Sequence, residues 1–191
     1  MTRIEVDIPE GTSGDYEVAI FTDETTEKDW QLYLSMAKCG NESSDSWTVL
    51  LKHSLTDGEE DCRMPIMQNS DAEYVEHQWL WDNAEGDVLI GGLGIGMCHQ
   101  PLIDNAAVTS VTIIELEEDV AELVWDDCAT DDTFSLVIAD FETWTPPEDS
   151  SFDTVWCDSW LVDNSMTYSE YKILMTERYS QYTDSIGFWG D

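Results

Sequence analysis

The sequence predicts an α/β protein: a doubly wound parallel sheet with a small β-rich extension at its N-terminus. Three observations predict it. In the second half, short and continuously apolar runs alternate with helical patterns, as expected of strands covered on both faces. The first of these runs ends in Gly92, Gly94 and Gly96, within "GDVLIGGLGIGMCHQ". The next three each end in an acid, Glu115, Asp140 and Asp158. We divide the chain into a β-rich extension, residues 1–70, and a ligand-binding α/β domain, residues 71–191.

In the extension, "RIEVDI", "DYEVAIFT" and "WTVLLKH" read as strands, with turns at "PEGTSGD" and "LTDGEED". Between them "TTEKDWQLYLSMAKCG" places Trp30, Tyr33, Leu34 and Ala37 at helical spacing and ends on Gly40, which predicts a helix. "SDAEYVEHQWLWDN" predicts a second helix over about 71–82. In the α/β part "DVLIG", "SVTIIE", "FSLVIAD" and "FDTVWCD" are strands. "GMCHQPLIDNA" is a short helix that tolerates Pro101 in its first turns. "LEEDVAELVWDD" is a helix with acids crowding its first turn, where the dipole favours them. "TYSEYKILMTERYSQY" is the last helix, and the pattern stops after about a fifth strand, "SIGFWG".

Seven Lys and Arg face 42 Asp and Glu, a net charge of −35. Between Arg63 and Lys172 there is no Lys or Arg. Nucleic-acid binding rests on neutralising phosphates with Lys and Arg, so a DNA or RNA substrate is not expected. The acidity suits solubility or life at high salt. An acidic decoy that mimics DNA is a competing reading. No run of eighteen apolar residues suggests a membrane span, and "MTRIEVDIPEG" lacks the apolar core of a secretory signal. A cytoplasmic protein is expected. Five scattered cysteines, with no C-x-x-C, fit free thiols, and His53, His77 and His99 lack metal-ligand spacing, so no metal is assigned.

In a doubly wound sheet, ligands bind beyond the carboxyl ends of the strands at the switch point. An acid at the end of the second strand can accept both hydroxyls of a ribose, which would also suit NAD. The dinucleotide fingerprint, however, needs a glycine where Met97 stands, and no base is near for a pyrophosphate. S-adenosylmethionine (SAM) has no phosphate, and its sulfonium cation is favoured by a negative site.

The ordered set "VLIGGLGIG", "VTIIELEEDV", "LVIADFETW" and "FDTVWCDSW" resembles the class I SAM-dependent methyltransferases over roughly residues 64–191. Within them it is most similar to the spermidine-synthase-like branch and to short phage-encoded methyltransferase-like proteins. The resemblance implies a Rossmann-like sheet of order 3-2-1-4-5 with Gly92 to Gly96 at the switch point. It also implies a SAM-consuming enzyme, in the host cytoplasm if virus-encoded. Gly92, Gly94, Gly96, Glu115, Leu116, Asp140, Phe141 and Asp158 become the cofactor-binding set. Of these, Glu115 would hold the ribose hydroxyls, Asp140 the adenine amino group, and the Phe141 N–H would face the ring. Asp158 would be the catalytic acid beside the reacting centre, unpaired and free to hold or deprotonate an amine. Tyr74 and Glu76, with Glu73, and Trp160 are substrate-side candidates. Trp144, Trp156 and Trp160 also read as core aromatics. Two departures weigh against polyamine synthesis: Leu161 stands where spermidine synthases carry a second acid, and the glycine motif has no internal aspartate. The implied partner is a small cationic or amine-containing molecule, with no nucleic acid or membrane, and a second subunit is one way to close the site. Aminopropyl transfer and a non-catalytic acidic binding protein are the alternatives.

A net charge of −35 should make self-repulsion the salt-sensitive part of stability. Screening lengths shrink to about 3 Å at 1 M salt, so the melting temperature should rise from low to molar salt. A flat thermal series would show that the acids are paired or well separated.

Overall fold

The computed structural model describes residues 4–22, 46–54, 62–161 and 165–191. The expected helix at 25–40 and the turn at 55–61 lie outside these residues. The chain divides into two compact units: Met1–Val75 with Gly94–Met97 and Asp119–Ala129, and Glu76–Leu93 with Cys98–Glu118 and Thr130–Asp191.

The first unit holds an antiparallel meander of β1 (Gly11–Ser13), β2 (Tyr16–Thr22), β3 (Ser46–Ser54) and β4 (Cys62–Gln68). Ala19, Phe21, Trp47, Val49 and Leu51 form its core cluster. Val18, Leu50 and Met67 stand abreast in register and are buried as well. Both faces are therefore covered, which is why β3 reads as a continuous apolar run and not as an alternation. Glu17 joins three strands: it accepts from Arg63 Nη2 at 2.8 Å and Nε at 3.1 Å, and lies 2.7 Å from His53 Nε2.

Three features of this unit differ from the sequence expectation. Residues 4–10 form no strand; Pro9 has no N–H to give a ladder. Within the expected turn "PEGTSGD", Gly11–Ser13 pairs with β2, and only Gly14 and Asp15 turn. β4 carried no strand prediction because Pro65 interrupts it. The sheet accommodates that proline at a register shift, where Leu50 pairs Met67 and Leu51 pairs Pro65.

The second unit carries β5 (Gly86–Gly91), β6 (Val108–Glu115), β7 (Phe134–Ile138), β8 (Thr154–Cys157) and β9 (Ile186–Phe188). All pairings are parallel and the order is β7-β6-β5-β8-β9, which is the expected 3-2-1-4-5 with β5 at the switch point. This is an α/β, Rossmann-like fold. The chain's helical segments are α1 (Asp71–Glu76), α2 (Gln78–Asn83), α3 (His99–Asp104), α4 (Glu118–Val124) and α5 (Tyr168–Tyr179); α1 and α4 lie almost wholly in the first unit. The division between the units falls within α1 and again within α4. The helix expected over 71–82 is broken into α1 and α2 at His77, whose φ of −95° and ψ of 8° leave the helical region.

α5 is the best specified of these. Thr167 and Glu170 form a reciprocal capping box at its start. Tyr171, Met175 and Tyr179, four residues apart, give it one buried stripe. That stripe packs into a core with Leu89, Ile114, Phe141, Val155, Cys157 and Phe188. Among the described residues no helix is long and apolar enough to cross a membrane.

At the other end of the sheet, β9 is held against the aromatic layer of α2. A Cβ at Gly187 would lie 2.0 Å from Trp79 Cε3, and that indole stacks on Trp156 at 6.0 Å. Relief would require the ring to shift against Trp156. Gly187→Ala should therefore cost about 1–3 kcal/mol, measured as a lower urea midpoint at unchanged slope.

Candidate functional site

The carboxyl ends of β5, β6 and β8 are stitched together by backbone. Gly92 N–H donates to Ile114 O at 2.9 Å, and Asp158 N–H donates to Gly91 O at 3.0 Å. The turn after β5 runs through three left-handed glycines, with φ of 104° at Gly92, 56° at Gly94 and 65° at Gly96. At Gly92 the need is double: a Cβ there would also lie 2.7 Å from Asp158 O. At Gly94 a Cβ would lie 2.0 Å from Met67 Sδ, the sulfur that accepts Ile95 N–H at 3.4 Å. The glycines thus approach other parts of their own chain. Gly94 and Gly96 fall in the first unit, as does Tyr74, whose N–H donates to Ser70 O at 3.1 Å.

Glu115 ends β6 with its carboxylate buried. Oε2 accepts Leu93 N–H at 2.8 Å, inside the glycine turn, and Oε1 accepts Glu117 N–H at 2.9 Å. Burial pushes its carboxyl upward, against the lowering effect of these N–H donors. Each carboxylate oxygen keeps acceptor capacity beyond one N–H. Leu116, the next residue, is 60% exposed, and Ile138, paired with Glu115 across the sheet, is 47% exposed.

Asp140 lies in the loop after β7. Its Oδ1 accepts Glu142 N–H at 2.9 Å and its Oδ2 accepts the Thr143 hydroxyl at 3.0 Å, so it also shapes its own turn. Phe141 turns its ring inward, stacked on Tyr179 at 4.6 Å and filling the space over Gly91. Only its backbone remains for a ligand.

Asp158 departs from expectation. It is not unpaired: Oδ2 lies 3.0 Å from Nε2 of His77, whose side chain is fully buried while that of Asp158 is 23% exposed. Sequence reasoning expected no cation for Asp158 because none is near in sequence; the partner comes from the break between α1 and α2. Glu76, beside His77, feels both groups. Burial raises its carboxyl, His77 lowers it and Asp158 raises it. Glu76, His77 and Asp158 are thus brought together in the second unit. Trp160 sits further along the same loop, donating Nε1–H to Met166 O at 3.0 Å and packing on Tyr168 at 5.3 Å. Trp156 is fully buried, and Trp144 packs against the core cluster.

The unit's bases, Lys172 and Arg178, are both engaged. Lys172 pairs with Asp191, and Arg178 donates to the carbonyls of Thr143 and Trp144. Among the described residues no group of three or more His, Cys, Asp or Glu could hold a metal ion.

The raised pKa of Glu115 has a definite sign. A carboxyl raised in the fold favours the folded state while protonated. That advantage is complete below the unfolded value of about 4.3 and is lost as pH rises through the folded value. Relative to wild type, Glu115→Gln should therefore gain stability between pH 4 and pH 7. Paired urea titrations at both pH values check this, and a constant difference would contradict it.

No family model and no curated protein matches the sequence. Solved structures are similar in backbone arrangement. One is a dimethyladenosine transferase from Plasmodium falciparum: 14% identity, TM-score 0.40, covering 55% of this chain and 35% of that one. Another is described as an RNA methyltransferase, from Pyrococcus horikoshii: 15% identity, TM-score 0.47, covering 85% and 73%. A third is spermidine synthase from Thermotoga maritima: 13% identity, TM-score 0.40, covering 71% and 50%. The chain therefore spans about a third of the first protein's length and half of the third's. At these identities the likeness concerns the fold alone.

Proposed function

We propose that the α/β part, residues 71–191, binds S-adenosylmethionine at the carboxyl end of its sheet, and that the protein transfers the methyl group to a small amine-containing molecule. The observation that carries this reading is the fate of the glycine-turn N–H groups. Those of Gly92 and Leu93 are taken by Ile114 O and Glu115 Oε2. A pyrophosphate would need such donors. A ligand with hydroxyls and a positive charge, and no phosphate, instead needs acceptors, and the strand ends supply Glu115, Asp140 and Asp158.

The roles follow from the side chains. Glu115 accepts the ribose hydroxyls with its remaining acceptor capacity. Leu116, exposed at the rim, covers one face of the adenine. Asp140 and the Phe141 backbone meet the adenine edge. SAM supplies a methyl group on a positively charged sulfur. The protein's part is to place the attacking nitrogen in line with it. As the new N–C bond forms and the C–S bond breaks, the electron pair stays on sulfur. The surplus proton on nitrogen passes to Asp158, which is 23% exposed at the strand end. Aminopropyl transfer has less support, because Leu161 replaces the second acid such enzymes carry.

Titration calorimetry with SAM tests the reading. Wild-type protein should bind, and Glu115→Ala and Asp140→Ala should each weaken binding by about 1–3 kcal/mol. Absence of binding by a folded wild-type protein would refute the cofactor assignment. Binding that survives both changes together would place the cofactor elsewhere.

A further inference from the structure

We propose that His77 is a positioning residue for Asp158: its buried imidazole fixes Oδ2 and thereby presents Oδ1 to the reacting centre. The inference rests on the SAM-binding reading for what Oδ1 meets. The pairing itself does not.

Asp158 is held at three points. Its N–H donates to Gly91 O at 3.0 Å, its carbonyl packs over Gly92, and its Oδ2 lies 3.0 Å from His77 Nε2. The first two fix the backbone. The third is an ion-pair approach that sets the side chain beside the imidazole, with Oδ2 on the protein side. The imidazole is itself immobile. It stacks on Trp81 at 5.6 Å with 19° between planes and lies 5.4 Å from Trp156. It also occupies the break between two helices, so its backbone is set by both of them. A fully buried histidine that breaks a helix and aims at a strand-end acid is an expensive arrangement for packing alone, since a polar ring must be desolvated.

The charges support the same role. Burial opposes a proton on His77, while the Asp158 carboxylate beside it, and Cys98 when ionised, favour one and shift it upward. Glu76 is the third titratable neighbour. Asp158 and Glu76 bring two carboxylates to the imidazole. That suits an amine donating an N–H to Asp158 through a charge-assisted hydrogen bond.

Two measurements decide the matter. The first follows the His77 imidazole by NMR titration in wild type and Asp158→Asn. The pairing predicts that His77 titrates at least one pH unit lower in the variant than in wild type. Identical titrations would overturn it. The second uses sinefungin, a SAM analogue with a primary amine where SAM carries its methylated sulfur. Asp158→Asn should weaken sinefungin about tenfold more than it weakens SAM, the scale of a hydrogen bond to a charged group. His77→Phe should do the same, and His77→Gln, which can still donate to Oδ2, should restore most of the loss. Equal weakening of both ligands by His77→Phe would show a merely structural histidine. If folded wild-type protein binds neither ligand, the SAM reading fails and the titration alone judges the pair. If His77→Phe does not fold, the Asp158→Asn titration and the His77→Gln ligand ratio still decide.

Discussion

The turn after β5 depends on one hydrogen bond, from Leu93 N–H to the buried carboxylate of Glu115 at 2.8 Å. Left-handed glycines on either side of Leu93 reverse the chain, but their backbone groups must find acceptors, because buried N–H groups left unpaired are costly. The carboxylate supplies one from the end of the neighbouring strand, and Ile114 O supplies the next. The adjoining strand on the other side is drawn in equally closely: Asp158 O occupies the space that a side chain at Gly92 would need. Three strand ends, β5, β6 and β8, are thereby brought to one place with their acids beside them. The N–H groups of Gly92 and Leu93 are spent inside this closure.

The acidity of the chain has a different character in different places. Among the described residues most acids lie on the surface, where solvent screens them and self-repulsion is their main effect. At the strand ends the environment separates them. Glu115 is buried and hydrogen-bonded by backbone. Asp140 is tied to its own turn. Asp158 faces a buried imidazole. Glu17 in the first unit gathers Arg63 and His53 across three strands. A protein with seven basic residues places those described here against specific carboxylates, carbonyls or aromatic rings: Arg63 on Glu17, Lys172 on Asp191, Arg178 on two loop carbonyls and Lys52 over Tyr16. In so acidic a chain, a cation left in solvent would do little to offset the repulsion.

The α/β half was largely legible in the sequence. Its strands are buried on both faces, so each appears as a continuous apolar run, and their alternation with helical patterns fixes a parallel sheet. The capping box Thr167–Glu170 and the stripe Tyr171, Met175, Tyr179 are local and period-bound, and α5 follows from them. The β-rich half was less legible. Pro65 hid β4, because a register shift that tolerates proline leaves no mark on the strand that carries it. Gly11–Ser13 looked like turn residues because glycine and serine signal turns whether or not a neighbouring strand is there to pair with.

Beyond the sheet order, which the resemblance implied, the sequence by itself determined the strand and helix segments, the glycine turn and the placement of acids at strand ends. These are properties of short segments, and each segment's pattern is set by its own burial and backbone needs. Only the tertiary structure decided what those groups touch. His77 and Asp158 are far apart in the chain, and nothing in the spacing of either residue marks the other. Their meeting depends on where a helix breaks and where a parallel strand ends. Likewise the sequence pointed to the glycines as a place of close approach but could not say to what. The partners, Asp158 O and Met67 Sδ, come from distant segments, and contacts between distant segments are fixed by packing, which no local pattern records.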